Sequence, residues 1–218
     1  MRALVVADEV DERLWSCGAG DLAVDLVLGA GDLPFDYLEF LADAVNRPAV
    51  FVPGNHDPDL GGRSHGGLFF RAGFPQRWPG PAGWVNADGR VVDVAGVRVA
   101  GLGGSVRYNT GPNQWTQAQQ ARRARRLVRA ANHERRKDGR GVDILLTHAP
   151  PRGLGDREDP PHHGFECLQW TVARLRPKWL LHGHIHPYGE PMPERRLGET
   201  RVRNVVGRHL LDLNEVAV

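Results

Sequence analysis

Only two cysteines, Cys17 and Cys167, occur in 218 residues. Two thiols cannot build a disulfide framework, and they match no cysteine-based metal spacing. Lysine is equally scarce: Lys137 and Lys178 are the only ones, so arginine carries nearly all the positive charge. No apolar run approaches the ~18 residues of a membrane-crossing helix. The opening "MRALVVADEVDE" is too short in apolar residues for a signal peptide. Neither sign of charge dominates, with 28 Lys and Arg against 26 Asp and Glu and a formal net charge of +2. That balance gives no reason by itself to expect a nucleic-acid or membrane partner. No internal repeat and no linker divides the chain. The expectation is a cytoplasmic protein whose residues 1–218 form a single domain.

What is present is a series of short apolar runs, most followed at once by Gly, Asp, Asn or His. They are "ALVVAD" (3–8), "DLVLGAGD" (25–32), "AVFVPGNHD" (49–57), "VRVAGLGG" (97–104), "DILLTHAPP" (143–151) and "WLLHGHIHP" (179–187). Runs without polar alternation predict strands covered on both faces. Helical patterns lie between them, at 34–45, 164–175 and 115–137. In the last, Ala118, Ala121, Ala124, Val128 and Ala131 form a thin apolar stripe, and eight Arg or Lys residues occupy the other faces. A solvated surface helix accounts for that charge. Gly/Pro-rich connectors fall at 58–67, 79–83 and 150–164. The closing "TRVRNVVGRHLLDL" alternates like an antiparallel strand pair. The pattern is α/β or α+β with mixed sheets.

Five strand ends deliver metal-competent groups: Asp8; Asp32; Asn55, His56 and Asp57; His148; and His184 with His186. In layered α/β folds that edge is where sites are built. Carboxylate, amide and imidazole donors suit Mn²⁺, Fe or Zn²⁺ rather than a soft thiolate metal. A carboxylate between two such donor groups can bridge two ions about 3.5–4 Å apart, an arrangement used in phosphoryl hydrolysis.

The ordered motifs "DEV" (8–10), "GDLPFD" (31–36), "GNHD" (54–57), "LLTHAPP" (145–151) and "GHIH" (183–186) resemble the calcineurin-like metallophosphoesterase superfamily. The resemblance implies a four-layer α/β/β/α sandwich with a divalent-metal site at the strand ends, served by Mn²⁺ or else Fe, Zn²⁺ or Ni²⁺. It implies Asp32 as a bridging ligand, Asn55, His148 and His184 at the second ion, and Asp8 and His186 at the first. His56 would lie beside the scissile phosphate, oriented by Asp57. The function implied is hydrolysis of a small-molecule phosphomonoester or phosphodiester. A nuclease and a non-catalytic metal-binding module are the alternatives.

One departure stands out. Val10 occupies the position of a family metal-binding histidine. Either the first site is completed differently, or one ion does the work, or the site has decayed into a binding module. On strand geometry Glu9 would point away, while Asp11 or Glu12 could swing in from the next turn. His162 and His163 lie in a loop near the expected site mouth, His163 being the candidate for substrate contact. Arg107 and Tyr108 are candidates to touch phosphate. His182, still within its strand, would pack or hydrogen-bond locally.

Overall fold

The computed structural model of the chain describes residues 1–60, 69–71, 74–76 and 79–214; most of the connector expected at 58–67 lies outside them. The strands of its two main sheets are β1 (Arg2–Ala7), β2 (Leu26–Gly29), β3 (Ala49–Phe51), β4 (Trp84–Asn86), β5 (Val91–Val94) and β6 (Val97–Leu102). They continue with β7 (Ile144–Thr147), β8 (Trp179–His182), β9 (Arg195–Leu197), β10 (Thr200–Asn204) and β11 (Gly207–Asp212). One sheet has the order β11-β1-β2-β3-β4 and the other β9-β10-β8-β7-β6-β5. Strands β1 to β4 run parallel, as do β6, β7, β8 and β10, while β5, β9 and β11 join as antiparallel edges.

Side-chain alternation in β1 explains the layering. Ala3, Val5 and Ala7 pack with Val99, Ile144, Leu146 and Leu181 of the facing sheet, forming the core between the sheets. Leu4 and Val6 point the other way, onto Tyr37, Leu38 and Leu41 of helix α1 (Phe35–Val45). The second sheet repeats this: Ala100, Leu145 and Leu180 pack under helices α2 (Gln117–Asp138) and α3 (Cys167–Leu175). Helix, sheet, sheet and helix therefore stack as four layers. Both faces of each central strand are buried, so its sequence reads as a continuous apolar run. Each fully buried leucine in it contributes about 1.5–3 kcal/mol.

Two expectations are corrected. The buried stripe of α2 is Gln120, Ala124, Leu127, Val128 and Ala131, and Ala118 is exposed. Gln120 is inside because its amide donates to the Gly103 carbonyl at 3.2 Å. The closing strands are no hairpin: β10 pairs with β8 and β9, whereas β11 pairs with β1 in the other sheet. Val205 and Val206 between them are buried, and they lack the turn chemistry a hairpin tip requires. No helix among the described residues is long and apolar enough to cross a membrane.

Candidate metal centre

The parallel strands bring their carboxyl ends to one edge, where the two sheets face each other. Asp8 follows β1, Asp32 follows β2, Asn55 to Asp57 follow β3, His148 follows β7, and His184 follows β8. Asp32, His148 and His184 each offer a ligand atom, and these atoms lie within 4.8 Å of one another.

The donors have lone pairs aimed at a common point. His148 is fully buried, with Nδ1 2.7 Å from the Ala30 carbonyl oxygen. Its Nε2 stands 3.1 Å from Asn55 Oδ1 and 3.2 Å from Asp32 Oδ2. If Nδ1–H donates to Ala30, a neutral ring directs the Nε2 lone pair at two oxygen lone pairs. That geometry requires a positive charge, either a proton on Nε2 or a metal ion among the three atoms. Asn55 donates from Nδ2 to the Tyr108 hydroxyl at 3.3 Å, which leaves Oδ1 to the site. His184 Nε2 lies 2.8 Å from the Pro161 carbonyl oxygen, which leaves Nδ1 as its lone-pair nitrogen. The set of donors fits a divalent cation.

The electrostatics say the same. Burial opposes a charge on His148, yet the carboxylates of Asp32 and Asp8 overcome it and push the imidazole up to about 10. Burial works to raise Asp32 too, but the His148 charge and the His56 N–H outweigh it and hold the carboxyl at about 2. Burial pushes Asp8 up to about 6 despite His148. Burial and then His148 push His184 down to about 3, so that ring is neutral and free to ligate. His182 is pushed down to about 4, chiefly by burial, and it bonds its neighbouring Gly183 carbonyl at 3.0 Å, the local role expected.

An ion must displace the His148 proton, which at neutral pH the metal-free site retains. Mn²⁺ affinity is therefore expected to rise with pH until that proton leaves unaided, at about 10. Titration calorimetry at pH 7.5 in two buffers of different ionisation enthalpy should read about one proton released per ion. Equal heats in both buffers would show that His148 is neutral beforehand.

The backbone around the site is bent in unusual ways. Asp8, Asp32 and His184 have φ of 58°, 56° and 69°. Left-handed conformations at non-glycine residues cost on the order of 1–3 kcal/mol each and cluster at functional sites. Two of them centre γ-turns: the Glu9 N–H donates to the Ala7 carbonyl at 2.6 Å, and Ile185 N–H to the Gly183 carbonyl at 2.9 Å. The two turns are joined, because the His184 N–H donates to Asp8 Oδ2 at 2.9 Å.

Several sequence expectations change here. Asp57 does not orient the His56 imidazole; its Oδ2 accepts the N–H groups of Asp32 at 3.0 Å and Gly54 at 2.7 Å. It ties the two motif loops together, and burial and the Asp32 charge push it up to about 6. His56 is exposed and anchored through its backbone N–H, 2.8 Å from Asp32 Oδ1. Its ring borders a surface cavity of about 440 Å³ lined also by Asp32, Phe35 and Asp36. His186 stands apart from the compact group, its Nδ1 3.0 Å from Glu9 Oε1, so Glu9 does not point away. Val10 packs against the core under the first sheet. Asp11 turns from the site to the Arg13 N–H at 2.9 Å and the Arg208 side chain at 3.3 Å.

Of the loop histidines, His163 bonds the Glu158 carbonyl at 2.7 Å, while His162 is the one over the site, its ring 5.3 Å from that of His184. Tyr108 reaches Asn55, and exposed Arg107 gives one guanidinium N–H to the Gln114 carbonyl at 3.2 Å. Sequence reasoning misses Asn113. Its Nδ2 donates to the Gly54 and Asp57 carbonyls, both at 3.0 Å, and clamps the Asn55 loop from outside. An isolated Asn in a turn carries no signal that would reveal this.

The family model described as calcineurin-like phosphoesterase matches residues 8–188, from the first site residue to just beyond the last. The chain belongs to the calcineurin-like phosphoesterase family. Its match to a curated protein, the UPF0046 protein T07D4.2 of Caenorhabditis elegans, is 46% identical over 48 residues. That stretch is 21% of this chain and 12% of the relative. One solved structure covers 97% of this chain and 95% of its own, with TM-score 0.63 and 14% identity. The structure of TT1561 from Thermus thermophilus covers 92% and 87%, with TM-score 0.57 and 15% identity. At such identities the structures establish the fold alone. Family membership and the Asp32/His148/His184 group together indicate divalent-metal binding.

Proposed function

We propose that the chain is a metal-dependent phosphoesterase acting on a small-molecule phosphomonoester or phosphodiester, with Mn²⁺ as its ion and the cytoplasm as its compartment. The observation that carries this reading is His148 Nε2 facing Asp32 Oδ2 and Asn55 Oδ1 without a neutral donor between them. Asp32, Asn55, His148 and His184 would hold one ion, and Asp8 with His186 would serve a second. A divalent ion bound there supplies Lewis acidity toward a phosphoryl oxygen and toward water. His148 is fixed by Ala30 and His184 by Pro161, so their rings need no rearrangement to ligate. Water would attack phosphorus as the ester P–O bond breaks. His56, in its protonated form, would give its proton to the departing oxygen, and the proton released by the attacking water would pass to solvent, from which His56 is reprotonated. The cavity beside His56 is where the ester group would lie.

A small ester is favoured over nucleic acid by the placement of the arginines. Helix α2 packs on the outer face of its sheet through Ala124, Leu127 and Ala131, so exposed Arg122, Arg125, Arg126 and Arg129 face away from the cleft.

The test is a panel of aryl phosphomonoesters and phosphodiesters, using chelator-stripped protein with and without added Mn²⁺. Turnover that depends on the ion is expected. No turnover of any ester by protein shown to hold metal would leave a binding module instead. In the same assay, His56→Ala is expected to keep its metal and lose about 10²–10⁴-fold in kcat. Parallel loss of metal would remove His56 from the chemical step.

A further inference from the structure

We infer that the Tyr188 ring is a stacking surface at the mouth of the metal centre, and that the ester hydrolysed there carries an aromatic or heteroaromatic ring. The inference rests on the phosphoesterase reading above and narrows its substrate class.

Tyr188 is 75% exposed, more than any other large apolar side chain among the described residues. It also stands where turn chemistry would not choose it. The Glu190 N–H donates to the Pro187 carbonyl at 2.9 Å, closing a turn whose central residues, Tyr188 and Gly189, have φ of 47° and 85°. Positive φ at both positions is the type I′ pattern, which favours Asn, Asp or Gly at the first of them. A bulky residue there is strained, and strain of this kind gathers at functional sites. Burial does not offset it, because the ring is mostly in solvent. The ring is nevertheless held: Arg157 Cζ stands 5.3 Å from its centroid, and the His186 ring lies 5.8 Å away at 30° to it.

The same brace ties Tyr188 to the metal centre. Arg157 Nη2 donates to the His186 carbonyl at 2.6 Å, and the Arg157 backbone N–H donates to the His162 carbonyl at 3.1 Å. His162 lies over His184, whose Nε2 is 2.8 Å from the neighbouring Pro161 carbonyl oxygen. Residues 184 to 188 span four peptide units, so the Cα atoms of His184 and Tyr188 are at most about 14 Å apart. An ester with its phosphoryl group at His184 and a ring a few bonds away covers such a span. Aromatic rings pack at centroid separations of about 4.5–7 Å, and the exposure of Tyr188 leaves ring surface open for one. A lone aromatic elsewhere on a surface needs no such account. This one shares a short loop with His184 and His186.

The experiment uses the full chain loaded with Mn²⁺ and three non-hydrolysable probes: methylphosphonate, phenylphosphonate and phenethylphosphonate. Titration calorimetry reads their affinities. Wild type is expected to bind at least one of the aryl probes about 10-fold more tightly than methylphosphonate. Tyr188→Ala should bring all three probes within about two-fold of one another, and Tyr188→Phe should keep the preference. Elemental analysis should find the wild-type metal content in both variants. Tyr188→Asn puts a residue suited to the turn at this position, so it should lose the preference yet melt no lower than wild type. An aryl preference that survives in Tyr188→Ala would overturn the inference, as would its loss in Tyr188→Phe or equal binding of the three probes by wild type. A lower melting temperature for Tyr188→Asn would assign the ring to packing within its own turn instead. Metal-loaded wild type that binds no phosphonate at all would sink the phosphoesterase reading, and this inference with it.

Discussion

Asp32→Asn is expected to keep the fold and lose the metal. The loss should be on the order of 10³-fold in Mn²⁺ affinity, equivalent to about 4 kcal/mol, with a fall in phosphoesterase turnover at least as large. The reason lies in what Asp32 does at once. Its Oδ2 is 3.2 Å from His148 Nε2, and its Oδ1 accepts the His56 N–H at 2.8 Å. Asparagine can keep the second bond, so the loop carrying His56 stays in place. It cannot supply the charge. Without that charge the pull that pushes His148 up to about 10 is largely lost, and burial drives the imidazole down. The proton released on metal binding should therefore shrink in the variant as well. Metal content after desalting, together with circular dichroism, checks both halves. A variant that retains wild-type metal would remove Asp32 from the site.

Gly54→Ala should be nearly as damaging, although it removes no functional group. A methyl group at position 54 would lie 2.0 Å from Asp32 Oδ1 and 2.7 Å from the Asp32 backbone nitrogen. Neither can yield easily. The Asp32 N–H and the Gly54 N–H are both pinned to Asp57 Oδ2, and Asn113 clamps the Gly54 carbonyl. The cost is about 1–3 kcal/mol of stability from overpacking, together with a displaced carboxylate and a Mn²⁺ affinity lower by about 10²-fold. Gly183 is under similar constraint, since its added carbon would meet Asp8 Oδ2 at 2.3 Å. Gly141→Ala is the comparison, because nothing lies within 4 Å of its added carbon. It should leave melting temperature and metal content unchanged. Thermal melts and metal analysis of Gly54→Ala, Gly183→Ala and Gly141→Ala test the point, and a Gly54→Ala protein with full metal content would contradict it.

These contacts explain why so much of the site is legible in the sequence. The motif glycines stand where a side chain would collide with the site: Gly54 and Gly183 leave room for the Asp32 and Asp8 carboxylates, and Gly31 for the Gly54 backbone and the His148 ring. The apolar runs before them lack polar alternation because helices cover one face of each central strand and the other sheet covers the other. Residue order by itself carries buried strands in an α/β pattern and the edge on which the site stands. The four layers, and Asp32, Asn55, His148 and His184 as one group, come through the family resemblance that the motifs bear. It also carries the loss at Val10.

The rest is decided by where the chain turns in three dimensions. Alternation assigns Glu9 to the wrong side, because it assumes an extended backbone and Asp8 sits in a γ-turn. The family resemblance pairs the Asp57 carboxylate with His56, but in space that carboxylate accepts the backbone N–H groups of Asp32 and Gly54. His162 rather than His163 reaches the site, since Glu158 captures the other ring within its own loop. The last two strands alternate as a hairpin would, yet the buried Val205 and Val206 carry the chain between sheets. Short-range periodicity reports which faces are buried. It does not report which distant element buries them, and the turns and partners at this site depend on that choice.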